Sequence, residues 1–97
     1  MNENNVLTDD YIETEVAKLN VAWAHIPGEG LVRVFETENF AEGLALVARI
    51  GKAAEGVGHY PEVALRPDEV DVTAFSVDAG GVTQADLDLA KALDKIS

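Results

Sequence analysis

The chain contains no cysteine and very little histidine. Without cysteine there are no disulfide bonds, no thiolate catalysis and no cysteine-based zinc sites, and there is no reason to place the protein outside the cell. The two histidines, His25 and His59, are too few for a typical histidine-rich metal site. Ser76 and Ser97 are the only serines, and neither Gly-x-Gly step precedes the lysine of a phosphate-binding loop. We therefore predict neither a metal ion nor a cofactor.

Positive charge is also scarce. Seven basic residues stand against 18 acidic residues, and the formal net charge is -11. Such a surface repels nucleic-acid phosphates and anionic lipids, so we predict no nucleic-acid or membrane binding. Solubility and attraction to a basic protein partner are two explanations that both stay open. The polar N-terminus lacks a signal peptide and no apolar run is long enough to span a bilayer, which predicts a cytoplasmic protein.

The hydrophobic periodicity predicts an α+β fold with the order α-β-β-α-β-β-α. Two hairpins would form one four-stranded antiparallel sheet, with the three helices on one face. The first seven residues are predicted to be a disordered tail, and residues 8–97 a single domain. The predicted helices cover 9–19, 39–56 and the chain after Thr83; the predicted strands cover 21–26, 31–36, 62–66 and 70–77.

The second helix is predicted to be the main core helix. Its buried face is predicted from residues at alternating spacings of four and three, namely Phe40, Leu44, Val47, Gly51 and Ala54. The face of the sheet away from the helices would then be solvated or covered by another subunit.

His59 is the main candidate for acid/base chemistry. It lies in a glycine-flanked loop after the second helix, and Glu55 precedes it by four residues. If the helix extends that far, the two side chains share one side, and the carboxylate could orient the imidazole. A loop-capping or surface histidine is the alternative. We expect no functional role for His25.

Several motifs in a fixed order resemble the pterin-4a-carbinolamine dehydratase family, also called 4a-hydroxytetrahydrobiopterin dehydratase. They are Trp23, Leu31-x-Arg33-x-Phe35, Phe40, Glu55-x-x-x-His59, Pro61-Glu62 and the stretch from Asp78-Ala79-Gly80-Gly81 to Ala90. The resemblance implies a dimer or tetramer and a substrate that is a pterin with a hydroxyl group on its 4a carbon. The family's enzymes eliminate water from this substrate without a metal.

The resemblance also implies a degenerate active site. His59 matches the first histidine of the family, and Glu55 matches the acidic residue before it. Tyr60, Pro67 and Val77 stand where a second histidine, an aromatic residue and a third histidine are expected. The matched frame further implies substrate contacts from Pro61, Glu62 and Asp78.

Two functions are compatible with this frame. The first is a dehydratase of reduced activity, with His59 as acid or base, Glu55 orienting it and Tyr60 as a substitute proton donor. The second is a non-catalytic module that binds another protein. Members of this kind assist Rubisco assembly in carboxysomes or act as dimerisation cofactors of transcription factors.

Overall fold

The structure, a computed structural model, describes residues 6–96. It confirms the predicted α+β fold, the order α-β-β-α-β-β-α and the antiparallel sheet, whose strand order is β1-β2-β4-β3. The helices are α1 (Asp9–Val16), α2 (Phe40–Val57) and α3 (Gln84–Asp94). The strands are β1 (Ala24–Ile26), β2 (Gly30–Glu36), β3 (Glu62–Arg66) and β4 (Glu69–Ala74).

The core lies between the helices and one face of the two central strands. Val70, Val72 and Ala74 alternate along β4 and are fully buried, as the period of two predicts. On β2 the residues paired with them are Phe35, Arg33 and Leu31, which are also buried. The helices add a further set of buried apolar side chains: Ile12, Leu46, Ile50, Leu87, Leu89 and Leu93.

α1 and β1 are both shorter than predicted. α1 ends at Val16 because the backbone hydrogen bonds that follow span three residues instead of four, as in a 3₁₀ turn. One of them is donated by Leu19 N–H to Val16 O. Asn20 then starts a turn in which its side-chain oxygen accepts from Ala22 N–H. This turn leaves Val21 98% exposed, so the predicted strand at 21–26 is reduced to its last three residues.

The predicted buried face of α2 is wrong at most of its positions. The helix buries Gly43, Leu46, Ile50 and Ala54, of which only Ala54 was predicted, while Phe40 and Leu44 are 48% and 51% exposed. The physical reason is the close crossing at Gly43, where a Cβ atom would lie 2.7 Å from Leu65 Cδ1. A glycine leaves no mark in a hydrophobic pattern, so the pattern alone did not identify the side that meets the sheet.

Asp94 ties three parts of the chain together at the end of α3. Its carboxylate accepts hydrogen bonds from Trp23 Nε1 (2.7 Å), the backbone N–H of Asn20 (2.9 Å) and Arg33 Nη1 (2.7 Å). The Arg33 guanidinium also stacks on the ring of Phe35, 4.1 Å from the centroid. Arg33 is thus a buried charge with one carboxylate partner and an aromatic neighbour.

The predicted disordered tail is largely outside the described residues, since residues 1–5 are not described. The next two residues do make contacts. Leu7 donates its backbone N–H to Val82 O (2.8 Å) and packs against the core. The assignment of residues 8–97 to one domain stays a prediction.

The turn between β1 and β2 offers a matched test of backbone strain. Gly28 and Gly30 both have positive φ angles, 85° and 119°, but a Cβ atom at Gly28 meets open space while one at Gly30 would clash with the Ala74 carbonyl oxygen. Gly28→Ala is expected to lower the free energy of unfolding by about 1 kcal/mol. Gly30→Ala is expected to lower it by roughly 3 kcal/mol, because steric overlap adds to the strain. Urea titration measures both values, and equal losses would contradict the close approach.

Candidate functional site

The end of α2 sets the position of His59. Gly58 caps the helix in the left-handed conformation, with φ of 80°, and its N–H donates to Ala54 O (2.8 Å). The N–H of His59 also bonds to Ala54 O, at 3.3 Å. The imidazole therefore follows directly after the capped end of α2.

The start of α3 brings a carboxylate to the same place. Thr83 is the N-cap residue, and Asp86 reaches back so that its Oδ2 accepts from the Thr83 N–H (2.9 Å). Asp86 is fully buried. Such a burial requires several hydrogen-bond donors, because an unpaired buried carboxylate is costly.

Asp86 finds those donors in the side chains around it. His59 Nε2 lies 2.6 Å from Oδ1, and Ser76 Oγ donates to Oδ2 at 2.8 Å. The Ser76 hydroxyl also lies 2.8 Å from Thr83 Oγ1. A carboxylate can only accept, so Nε2 of His59 must carry a proton. The other ring nitrogen, Nδ1, is then the one that can give or take a proton, much as a buried aspartate fixes the working tautomer of a catalytic histidine.

His59 borders an open cleft of about 500 Å³. Beside it is a smaller cavity of about 160 Å³ that shares Tyr60, Phe75 and Val77 with the cleft. We call the two spaces the His59 cleft and the side cavity. The His59 cleft is also lined by Ser76, Asp78, Ala79, Thr83 and Ala85; the side cavity is also lined by Glu29, Pro61, Glu62 and Thr73.

The structure separates the residues that the sequence grouped together. His59, Tyr60 and Asp78 line the His59 cleft, whereas Pro61 and Glu62 line the side cavity. Glu55 is exposed and lines neither space. The expected hydrogen bond between Glu55 and His59 is absent among residues 6–96, and the imidazole bonds to Asp86 instead.

Sequence reasoning missed Asp86, Ser76 and Thr83 as parts of the site. The spacing of Thr83 and Asp86 is that of a capping pair for the last helix, and Ser76 falls within the predicted strand 70–77. Local spacing could not reveal that the second oxygen of Asp86 faces a histidine 27 residues away. A signal existed, because the matched stretch after Asp78 includes both Thr83 and Asp86.

His25 lies outside this site. Its side chain is 3% exposed beneath α1, and its Nδ1 lies 2.8 Å from Glu13 Oε2. The interaction joins α1 to β1, which is a structural role. That His25 has no part in the chemistry stays a prediction.

Two other features of the structure are weaker candidates for a functional site than the His59 cleft. A groove of about 510 Å³ runs between β2 and α2, but its buried Arg33 is already paired with Asp94. The pKa of Glu69 is raised, first by its hydrogen bond to Asp71 and then by burial and neighbouring acidic charges, yet Glu69 lines neither the cleft nor the side cavity.

Within residues 6–96, no group of three or more His, Cys, Asp or Glu side chains could hold a metal ion. In the same part of the chain, no helix has both the length and the apolar character needed to cross a membrane.

Comparison with known proteins agrees with the fold. The sequence profile described as Pterin 4 alpha carbinolamine dehydratase matches residues 5–96. A protein of Natronomonas pharaonis, provisionally named a pterin-4-alpha-carbinolamine dehydratase, is 41% identical over 91 residues, which are 94% of this chain and 95% of that protein. A protein of Nocardia farcinica with the same provisional name is 35% identical over 92 residues, 95% of each chain.

A solved structure is similar over the same length. It is the crystal structure of a transcriptional coactivator/pterin dehydratase from Brucella melitensis, with a TM-score of 0.84 and 27% identity. The match covers 95% of this chain and 98% of that one. The chain therefore belongs to the pterin-4-alpha-carbinolamine dehydratase family.

Proposed function

We propose that this protein binds a tetrahydropterin carrying a 4a-hydroxyl group in the His59 cleft and slowly eliminates water from it. The observation that carries the proposal is the 2.6 Å hydrogen bond between His59 Nε2 and buried Asp86 Oδ1, which leaves Nδ1 as the working nitrogen at an open cleft. Family membership supplies the substrate class.

The reaction breaks the bond between carbon 4a and its hydroxyl oxygen. The hydroxyl leaves as water after it receives a proton, and the neighbouring ring nitrogen loses its N–H proton as the carbon–nitrogen double bond forms. One imidazole can serve both steps in turn. Protonated His59 donates from Nδ1 to the departing hydroxyl, and the resulting neutral ring then accepts the N–H proton.

A single imidazole also explains why we propose a slow reaction. Two groups can donate and accept at the same time, whereas one group must do so successively. Val77, where the resemblance places a third histidine, can neither donate nor accept a proton. Tyr60 is 60% exposed at the cleft and is a poor base near neutral pH, since the ordinary pKa of a tyrosine is about 10.

Purified protein mixed with a 4a-hydroxytetrahydropterin tests the proposal directly. The absorbance change that accompanies dehydration should be faster than in buffer alone and should be proportional to protein concentration. A dehydration rate equal to that in buffer would overturn the proposal that the protein is an enzyme, because the spontaneous reaction alone would then account for the observed rate.

A protein-binding module in the cytoplasm is the second candidate, and the exposed face of α2 favours it. Phe40 and Leu44 are about half exposed on one side of this helix, and Gly51 is exposed with nothing near its missing side chain. A glycine inside a helix weakens the helix, but it also allows another helix to approach the backbone closely. We therefore take the exposed Gly51 as an argument for a helical neighbour at this surface. The first occupant that we propose is a second copy of this chain, forming a dimer or tetramer.

Analytical ultracentrifugation tests whether a second copy of the chain binds at this face of α2. The wild-type chain is expected to sediment as a dimer or larger, and Leu44→Glu is expected to shift it toward the monomer because a charge would be buried in the contact. Glu38→Gln, outside α2, is the control and should leave the association state unchanged. A monomeric wild-type chain would remove the second copy as the occupant. If the module binds protein at all, its partner would then be a basic protein, as for an assembly factor or a dimerisation cofactor.

A further inference from the structure

The side cavity continues the His59 cleft. The two spaces share Tyr60, Phe75 and Val77, and two of these side chains, Tyr60 and Val77, are 60% and 77% exposed. Since they line both spaces, these residues form the boundary between them, which we call the Tyr60 ridge. A ligand whose ring lies beside His59 and carries a side chain longer than the cleft can extend over this ridge into the side cavity.

The charged side chains that line the side cavity are both acidic. Glu29 and Glu62 line it, Asp78 lines the cleft on the other side of the ridge, and no lysine or arginine lines either space among the described residues. Neither glutamate has an ion-pair partner within residues 6–96. A carboxylate or phosphate entering this cavity would meet repulsion from these carboxylates.

The backbone of Glu29 is held by the turn between β1 and β2. Its N–H donates to Ile26 O at 2.8 Å within the turn between β1 and β2. Gly28 and Gly30 on either side have positive φ angles, and Gly30 packs directly against the backbone of Ala74 on β4. These contacts define the backbone position from which the exposed Glu29 side chain extends.

We propose that Glu29, with Glu62, makes the side cavity a charge filter for the pterin side chain, which accepts uncharged or positively charged groups and rejects anionic ones. This inference rests on the proposed function, since it assumes that the pterin ring lies in the His59 cleft. Glu29 would be a specificity residue that takes no part in the elimination itself.

Two ligands that differ only by a phosphate group test the filter. Neopterin and neopterin monophosphate share the same ring and hydroxylated side chain, and pterin fluorescence reports the binding of each. At low salt the wild-type protein is expected to bind neopterin about tenfold more tightly. Glu29→Lys is expected to reduce that ratio about fivefold or more. In 1 M salt, the ratio of the wild-type protein should fall toward one.

Glu38→Lys is the matched control, because it makes the same change in net charge at a residue that lines neither space. Its affinity ratio should equal that of the wild-type protein. Equal affinities for the two ligands in the wild-type protein, or equal ratios in the two lysine variants, would overturn the filter and leave the proposed function standing. No binding of either ligand would overturn the proposed function and the filter with it.

Discussion

Replacing His59 with alanine is expected to lower the rate of pterin dehydration by about 100-fold, or to the rate in buffer if the wild-type rate is small. The reason is that His59 Nδ1 is the only imidazole nitrogen available at the cleft, since His25 is buried beneath α1. The rate of water loss from a 4a-hydroxytetrahydropterin, followed by absorbance, is the measurement. An alanine variant that folds normally and keeps the wild-type rate would contradict the assignment of His59.

Asp86→Asn and Glu55→Gln together distinguish the two carboxylates proposed to orient His59. Asparagine at position 86 can turn an amide N–H toward His59 Nε2, which favours the wrong tautomer, so the rate is expected to fall about tenfold or more. Glutamine at position 55 should change the rate by less than about twofold, because the exposed Glu55 makes no hydrogen bond to the imidazole. The reverse order of effects would restore the pairing that the sequence predicted.

Asp94→Ala is expected to have the largest effect on stability. It leaves the buried Arg33 guanidinium without its carboxylate and removes the acceptor of Trp23 Nε1 and of the Asn20 N–H. Breaking a buried ion pair in this way costs about 3–5 kcal/mol. Small domains have about 5–15 kcal/mol of stability in total, so the variant is expected to lose roughly a fifth of it or more. Urea denaturation followed by circular dichroism gives the change in the free energy of unfolding.

Arg66→Ala is the matched control for this cluster. Arg66 also contacts two carboxylates, Glu69 and Asp71, but its side chain is 54% exposed. Exposed ion pairs contribute about 0–1 kcal/mol, so this variant should lose far less stability than Asp94→Ala. Similar losses in both variants would show that Arg33 is better solvated than its 8% exposed fraction indicates.

Much of the fold could be predicted from local patterns. The predicted helices begin at or directly after Thr8, Asn39 and Thr83, which are residue types that favour the N-cap position, and each is the N-cap residue of a helix in the structure. These signals are local, because a cap and its helix are adjacent in the chain. The alternation along β4 is local in the same sense, and it was also predicted correctly.

Predictions that depended on contacts between distant segments were less successful. α2 has apolar residues on more than one side, and only its crossing of the sheet at Gly43 decides which of them are buried. The exposed Phe40 and Leu44 became the candidate association surface for the same reason.

The candidate site shows the same division. The sequence alone determined the family frame, the position of His59 after the helix that Gly58 ends, and the loss of two expected histidines at Tyr60 and Val77. Only the tertiary structure decided which carboxylate holds His59. Glu55 was favoured because it is close in the chain, but Asp86 bonds to the imidazole because the end of α2 and the start of α3 meet there. Burial then selects the partner, since a carboxylate with no exposed surface must be satisfied by the donors around it.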